Sequence, residues 1–194
     1  SCNPIHKIRV ETVGPPFEGN QVKIAEDGEI LVKGENVMLG YWNNKEDTEK
    51  VLKDGWLYTG DIGEIDSQDG YLKITDRKKD IIVSAGGDNI SPAKIENQIL
   101  NSVAIEQCMV FGDGKNYLVA LIVTSKEHQE QKEKINKIIS EVNKNLTLVE
   151  KIKKFHLINE KFTIENGLLT PTMKVKRNKV IIKYKNILED FYKK

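Results

Sequence analysis

The apolar residues of this chain keep two different rhythms. Through the first 75 or so positions they fall in short alternating runs, broken by Gly, Pro and Asp-rich turns. Residues 7–13, 20–25 and 29–33 read as short strands, with turns at Gly14-Pro15-Pro16 and Asp27-Gly28. An Asp-Gly pair between two alternating runs is a hairpin signal. Residues 45–52 predict a helix capped by Asn43 or Asn44 and ended by Asp54-Gly55. Residues 56–58 open a new extended segment. Residues 62–66 and 71–75 predict two more strands, joined around Asp69-Gly70. Then comes Asp76-Arg77-Lys78-Lys79-Asp80, a charged connector of the kind that links two bodies.

Beyond it, longer helical periods alternate with strands. Residues 80–84 predict a strand, followed by a loop at Gly86-Gly87. Ser91 and Pro92 cap a helix running to about residue 101, with proline in the tolerated first turn. Residues 105–111 and 117–124 are strands around a turn at 112–114. Residues 126–145 predict a long charged helix, 147–152 a short one, and 155–158 a strand. A loop over 167–176 contains Pro171, and an amphipathic helix over 178–192 closes the chain. The expected class is α+β: a β-rich body over 1–76, then a small α+β domain over 77–194 with its joint at 77–80.

Composition narrows the classes of function. An apolar fraction of 39% supports a packed core and 30% charged residues a well-solvated surface. The longest aliphatic run, residues 118–123, is far short of the roughly 20 apolar residues that cross a bilayer. No N-terminal apolar stretch resembles a signal peptide. Cys2 and Cys108 have neither paired nor metal-like spacing, so a reduced, cytoplasmic setting is the simplest expectation. His6, His128 and His156 have no spacing suited to metal or triad chemistry. The net charge of +1 conceals an asymmetry: residues 126–194 carry 17 basic against 9 acidic side chains. That excess suits a phosphorylated ligand or peripheral contact with an anionic membrane, and equally a solvated lysine-rich helical face. Nucleic acid is not expected, because the lysines alternate with glutamates and no aromatic-bearing basic motif accompanies them.

Four segments carry candidate chemistry, each beside a plainer reading. In Trp56-Leu-Tyr-Thr-Gly-Asp61, a carboxylate after a Thr-Gly turn suits two-point hydrogen bonding to vicinal hydroxyls, or else satisfies turn N–H groups. Arg77 is one of only three arginines, with Arg9 and Arg177, in a chain whose other cations are lysines. A planar fork at that place suits two-point recognition, or a salt bridge to Asp76 or Asp80. The adjacent Gly86 and Gly87 permit close approach of a ligand, or simply a positive-φ turn. No GxxxxGK[ST] or GxGxxG phosphate loop is present. Lys174, at the end of Leu168-Leu-Thr-Pro-Thr-Met-Lys, suits stabilisation of a developing phosphate charge, or is ordinary solvated surface.

Taken in order, Thr59-Gly60-Asp61, Asp76-Arg77-Lys78-Lys79-Asp80, Ala85-Gly86-Gly87 through Ile95-Glu96, and Thr170-Pro-Thr-Met-Lys174 closely resemble the adenylate-forming superfamily of acyl-CoA synthetases, luciferases and peptide-synthetase adenylation domains. Gly28-Glu-Ile-Leu-Val-Lys-Gly34 and Gly40-Tyr41-Trp42 fit the same pattern. The resemblance is to the long-chain fatty acyl-CoA synthetase branch. The peptide-synthetase branch has glycine before the last lysine, where this chain has Met173.

The resemblance implies a C-terminal portion: the end of a large AMP-binding domain, then a mobile lid. It implies two steps, in which a carboxylate attacks the α-phosphate of ATP to give acyl-AMP and pyrophosphate, and the thiol of CoA then displaces AMP. Asp61 would hold the ribose hydroxyls and Arg77 assist at the nucleotide. Lys79 would be the pivot and Lys174 the bridge between carboxylate and α-phosphate. Gly86 and Gly87 would line the pantetheine path, Gly87 being the better match to the family's tunnel glycine. The phosphate loop, the groups near adenine and magnesium, and most of the acyl pocket belong upstream in this family, so Mg2+ is expected for the complete enzyme without ligands from these residues. With Ser1 at its start, the chain is expected to be a fragment, a processed product or a trimmed chain, inactive in adenylation when isolated. Two readings compete: a non-catalytic remnant or interaction module of a split gene, and an enzyme that loads a carrier-protein thiol instead of CoA.

Overall fold

The computed structural model describes residues 1–125 and 131–193, and the chain divides into two compact units, Ser1–Lys79 and Asp80–Lys194.

The first unit is built on an antiparallel sheet. Strands β1 (Gln21–Ile24) and β2 (Glu29–Lys33) form the expected hairpin around Gly28, with Ile24 opposite Ile30. Helix α1 (Lys45–Val51) starts at Asn44, whose side-chain oxygen accepts from the Asp47 amide, satisfying a first-turn donor that the helix itself cannot. The chain then turns through β3 (Leu52–Lys53) and the left-handed pair Asp54 (φ 52°) and Gly55 (φ 78°), the type I′ geometry of a tight hairpin. Strand β4 (Trp56–Ile65) pairs with β2 along one edge and, along the other, with β3 at its start and β5 (Leu72–Arg77) further on. Ile30, Leu31, Tyr71 and Leu72 are buried in this unit.

Two expectations change here. Residues 7–13 form turns instead of a strand, and only Val13 joins the sheet, donating to Leu72 O at 2.8 Å. The connector is shorter than 76–80, because β5 continues through Arg77 and residues Lys78–Asp80 form a single 3-10 turn.

The second unit wraps helices around a three-stranded sheet. A small hairpin, β6 (Ile82–Val83) with β7 (Asn89–Ile90), leads into helix α2 (Pro92–Leu100), capped by the Ser91 hydroxyl accepting from Lys94 N. Strands β8 (Ile105–Phe111) and β9 (Leu118–Thr124) are antiparallel; α3 (Gln131–Lys144) carries the chain over to β10 (Ile152–Ile158), parallel to β9. The part of the long helix expected over 126–130, including His128, lies outside the described residues.

Central β9 explains the aliphatic run. Its even positions, Leu118, Ala120 and Ile122, pack with Ile95 and Ile99 of α2 and Ile135 and Ile139 of α3. Its odd positions, Val119, Leu121 and Val123, face a second core with Phe162, Leu168, Leu169, Val180 and Leu188. A strand covered on both faces has no polar alternation. The terminal helix is two, α4 (Arg177–Lys183) and α5 (Lys185–Asp190), interrupted at Tyr184 (φ −104°, ψ 19°). Residues 147–150 form a turn where a short helix was expected, and Ile152 already belongs to β10. Among the described residues no helix is long and apolar enough to cross a membrane.

Candidate functional site

The candidate residues of the first unit converge on one distortion in β4. The sequence places a turn at Thr59-Gly60 ahead of a new strand; the structure carries one strand through it. Between the Leu31–Tyr58 and Glu29–Ile62 pairs, β4 takes four steps where β2 takes two. Gly60 makes this bulge possible with φ +71°, a region that a Cβ disfavours. Three side-chain bonds hold it. Thr59 Oγ1 donates to Ile30 O (2.8 Å) and accepts from Asp61 N (3.1 Å), and the Gly60 N–H donates to Glu29 Oε1 (2.8 Å).

Asp61 and Arg77 are brought together. They are opposed across β4 and β5, and Arg77 Nε lies 2.7 Å from Asp61 Oδ1. Arg77 therefore pairs across the sheet; its neighbour Asp76 accepts from the Arg77 backbone N–H at 2.7 Å. The Asp61 side chain is 21% exposed, and among the described residues its Oδ2 has no protein partner. One oxygen is thus fixed by a guanidinium while the other is left to accept from a ligand hydroxyl.

Two residues at this site escaped the sequence reading. Glu29, 3% exposed, has its second oxygen 2.8 Å from Lys78 Nζ, and Lys78 also reaches Asp27 Oδ2 at 2.6 Å. Hydrogen bonds that Lys78 donates to the two carboxylates, that to Asp27 first, hold its ammonium above the usual range, and Lys78 in turn holds Asp27 below the usual carboxylate range. Lys79 is exposed and, among the described residues, has no ion-pair partner.

In the second unit, Gly86 and Gly87 lie in the loop of the β6–β7 hairpin. Ser84 Oγ organises this loop: it donates to Asp88 Oδ2 (2.8 Å) and accepts from the Gly86 and Asp88 amides (3.1 Å each). Gly87 has φ +89°, and a Cβ built on it would meet open space, so backbone conformation and not packing calls for glycine within this unit. Beside the loop is a cleft of about 210 Å³ lined by Ser84, Gly86, Asp88, Lys115, Tyr117 and Val149.

Lys174 sits on a separate, hydrogen-bonded turn. Leu169 and Val175 bridge across its neck, Thr170 N donates to Lys174 O (2.8 Å), and Lys174 N donates to Thr170 Oγ1 (3.0 Å). Met173 closes the turn with φ +62°, the position at which the peptide-synthetase branch has glycine. The Lys174 side chain is exposed and without an ion-pair partner among the described residues. Three residues on, Arg177 anchors the turn: Nη1 donates to Val110 O (3.1 Å) and Nη2 pairs with Glu96 Oε2 (2.5 Å). Glu96 Oε1 also accepts from Val110 N at 2.7 Å. This pair, too, escaped the sequence reading, although Glu96 closes one of the recognised segments. Cys108, near Glu96, is buried, and burial pushes its thiol up. Among the described residues no cluster of His, Cys, Asp and Glu could hold a metal ion.

A hydrogen-bonded turn presenting an exposed lysine, a glycine loop on a two-stranded hairpin, and a three-stranded sheet wrapped by helices make up this domain. The chain belongs to the AMP-binding enzyme C-terminal domain family, whose model matches residues 79–194. It is 39% identical over 216 residues to the long-chain-fatty-acid–CoA ligase FadD15 of Mycobacterium tuberculosis, covering 100% of this chain and 36% of that protein. It is 34% identical over 215 residues to long-chain-fatty-acid–CoA ligase 6 of Mus musculus, covering 93% and 31%. Among solved structures, the O-succinylbenzoate coenzyme A synthetase MenE of Bacillus subtilis, in complex with AMP, is 29% identical with a TM-score of 0.70, over 88% of this chain and 35% of that one. The adenylation domain of a carboxylic acid reductase from Segniliparus rugosus shares the fold, with a TM-score of 0.81 at 24% identity over 93% and 32% of the two chains. The chain thus spans about a third of the length of the relatives it matches.

Proposed function

We propose that this chain supplies the ribose grip, hinge and lid of an ATP-dependent long-chain fatty acid–CoA ligase. The observation that carries this reading is the β4 bulge beside which one Asp61 oxygen is held by Arg77 while the other has no protein partner among the described residues, in a chain similar along its whole length to a long-chain ligase. In the first step the fatty acid carboxylate attacks the α-phosphate of ATP and pyrophosphate leaves. Asp61 Oδ2 accepts from a ribose hydroxyl, and Arg77 keeps the carboxylate oriented. The Lys174 ammonium offsets negative charge as it grows on the phosphoryl oxygens, and helps place the attacking carboxylate. With no ion-pair partner among the described residues, that ammonium can make this interaction without breaking a salt bridge there.

In the second step the CoA thiolate attacks the acyl carbonyl and AMP leaves. Lys174 has no part in this step; backbone torsions at Lys79 reorient the lid between the two. The Gly86-Gly87 loop then lines the path of the pantetheine arm. Magnesium and the triphosphate grip come from the rest of the enzyme, as does the acyl pocket that sets chain length. The basic excess of residues 126–194 favours peripheral association of the cytoplasmic enzyme with anionic lipid.

The test is a pair of half-reactions on the complete protein: fatty-acid-dependent exchange of labelled pyrophosphate into ATP, and acyl transfer from acyl-AMP to CoA or to an acyl-carrier protein. Exchange with long-chain acids and transfer to CoA are expected. No exchange with any fatty acid would remove the reading, and transfer to the carrier protein alone would change the acceptor.

A further inference from the structure

We infer that Glu29 is a positioning residue serving two places at once, holding the bulge that presents Asp61 and tethering Lys78 so that motion of the lid begins at Lys79. The inference rests on the function proposed above and deepens it. Glu29 is 3% exposed, and a buried carboxylate is costly unless both oxygens find strong partners. Its partners lie 31 and 49 residues away. Oε1 takes the Gly60 N–H and Oε2 takes the Lys78 ammonium, each at 2.8 Å.

The first bond acts on the nucleotide side. Gly60 holds its left-handed φ inside a strand, where the ladder gives its N–H no regular partner; Glu29 supplies one. Asp61 follows directly, so the direction of its carboxylate is set through a backbone that Glu29 holds. Ile30, the next residue of β2, accepts from Thr59 on the other side of Gly60, so two consecutive positions of β2 fasten the bulge.

The second bond acts on the hinge side. Lys78 opens the 3-10 turn Lys78–Asp80, and its ammonium is shared between Glu29 and Asp27. A backbone cannot swing freely at a residue whose side chain is clamped to the sheet. Lys79, exposed and unclamped, is the first position at which torsions can change without breaking that clamp. One carboxylate therefore fixes both the ribose-side geometry and the origin of the moving joint.

The experiment separates the two bonds in the complete ligase. Glu29→Ala removes both, Glu29→Gln keeps an oxygen for Gly60 but loses the charge that holds Lys78, and Lys78→Met removes the hinge bond alone. For Glu29→Ala, KM for ATP is expected to rise roughly fivefold, the loss of one hydrogen bond to the bulge, and the thioester-forming rate to fall by a similar factor. Lys78→Met, at a half-exposed position, is expected to keep KM for ATP and lower only the thioester-forming rate. Glu29→Gln should restore KM without restoring that rate, and Lys78→Arg should restore the rate. Hydrogen exchange gives a readout that needs no turnover: Glu29→Ala should speed exchange at both Gly60 and residues 78–80, Lys78→Met at 78–80 only. Wild-type kinetics and exchange in both variants would overturn the inference, as would a rise in KM in Lys78→Met equal to that in Glu29→Ala. A wild-type protein that forms no acyl-AMP would instead remove the proposed function, while the exchange pattern would still decide on the clamp.

Discussion

Arg77 stands directly opposite Asp61 across β4 and β5, its Nε 2.7 Å from Asp61 Oδ1. The two residues are 16 positions apart in a region of the chain where almost every other cation is lysine. A guanidinium approaches a carboxylate in a fixed plane, and an ammonium does not. Asp61→Asn keeps the shape of the side chain and removes its charge. Loss of charge-assisted hydrogen bonding to a ribose is expected to raise KM for ATP about tenfold or more. Arg77→Met should raise it by a smaller factor, because Asp61 keeps its charge and loses only its orientation. The Arg77 side chain is 55% exposed, so thermal stability should move little in either variant. Steady-state kinetics beside thermal unfolding would check both; a large drop in melting temperature with KM unchanged would make the pair structural.

Met173 holds a left-handed backbone that a side chain strains. Its φ of +62° puts a Cβ against backbone, at a cost of about 1 kcal/mol. Met173→Gly relieves this and should leave stability unchanged or raise it by up to about 1 kcal/mol, part of the gain being offset by the larger entropy of an unfolded glycine. Met173→Ile should destabilise the turn by about 1–2 kcal/mol, since a branched Cβ tolerates that region least. Chemical denaturation of the three proteins orders them; isoleucine as stable as glycine would contradict the turn geometry.

Arg177 and Glu96 form a largely buried ion pair in the second unit, with side chains 17% and 13% exposed, and both also bond Val110. Removing one partner leaves the other charge buried. Arg177→Met or Glu96→Gln alone should therefore cost about 2–4 kcal/mol, while the double variant should cost clearly less than the two single losses combined. A double-mutant cycle by denaturant unfolding measures the difference. Additive losses would mean that the two groups act independently.

Asp27 and Lys78 shift in opposite directions, and that sets a pH window. Asp27, held low first by the Lys78 hydrogen bond, contributes stability above its ordinary carboxylate value and loses it as pH falls through its lower folded value. Lys78, held high first by Asp27, contributes below the ordinary lysine value and loses it as pH rises through its higher folded value. The clamp is therefore constant across the neutral range and opens only at the extremes. Carbon-detected NMR should place the Asp27 midpoint below the usual carboxylate range of about 3.9. Lys78→Met should move it upward, and an unmoved midpoint would mean that the contact is absent in solution.

The legible parts of this chain are those whose causes are local. The run over 118–123 reads as a strand and is one, its two faces both covered, and Asn44 and Ser91 cap the helices they precede. Where distant or competing groups decide, sequence patterns mislead. Residues 7–13 alternate like a strand, but Asn3 accepts from Arg9 N and donates to Thr12 O, folding the segment into turns. The helix expected over 147–152 is undone at both ends. Glu150 accepts from the Thr147 amide and hydroxyl, and Asn143 bonds both backbone groups of Ile152, drawing it into β10. The site divides the same way. Asp61 and Lys174 stand in recognisable segments, whereas Glu29 acquires its meaning only from groups 31 and 49 residues away.

Lys174 offers the sharpest separation of the two chemical steps. Its backbone is locked by Thr170 from both directions, through the bond to Lys174 O and the bond from Lys174 N. Lys174→Ala therefore deletes a side chain without loosening the turn, and with no ion-pair partner among the described residues its removal should change stability by less than about 0.5 kcal/mol. Acyl-AMP formation should fall by roughly a hundredfold to a thousandfold, the scale of losing one group that stabilises developing charge. Thioester formation from supplied acyl-AMP should continue near the wild-type rate, because there the charge develops at the acyl carbonyl and not where Lys174 acts. Measuring both half-reactions in one preparation controls for folding. Equal losses in the two would take the step-specific role away from Lys174, and a loss confined to thioester formation would assign it to the opposite step.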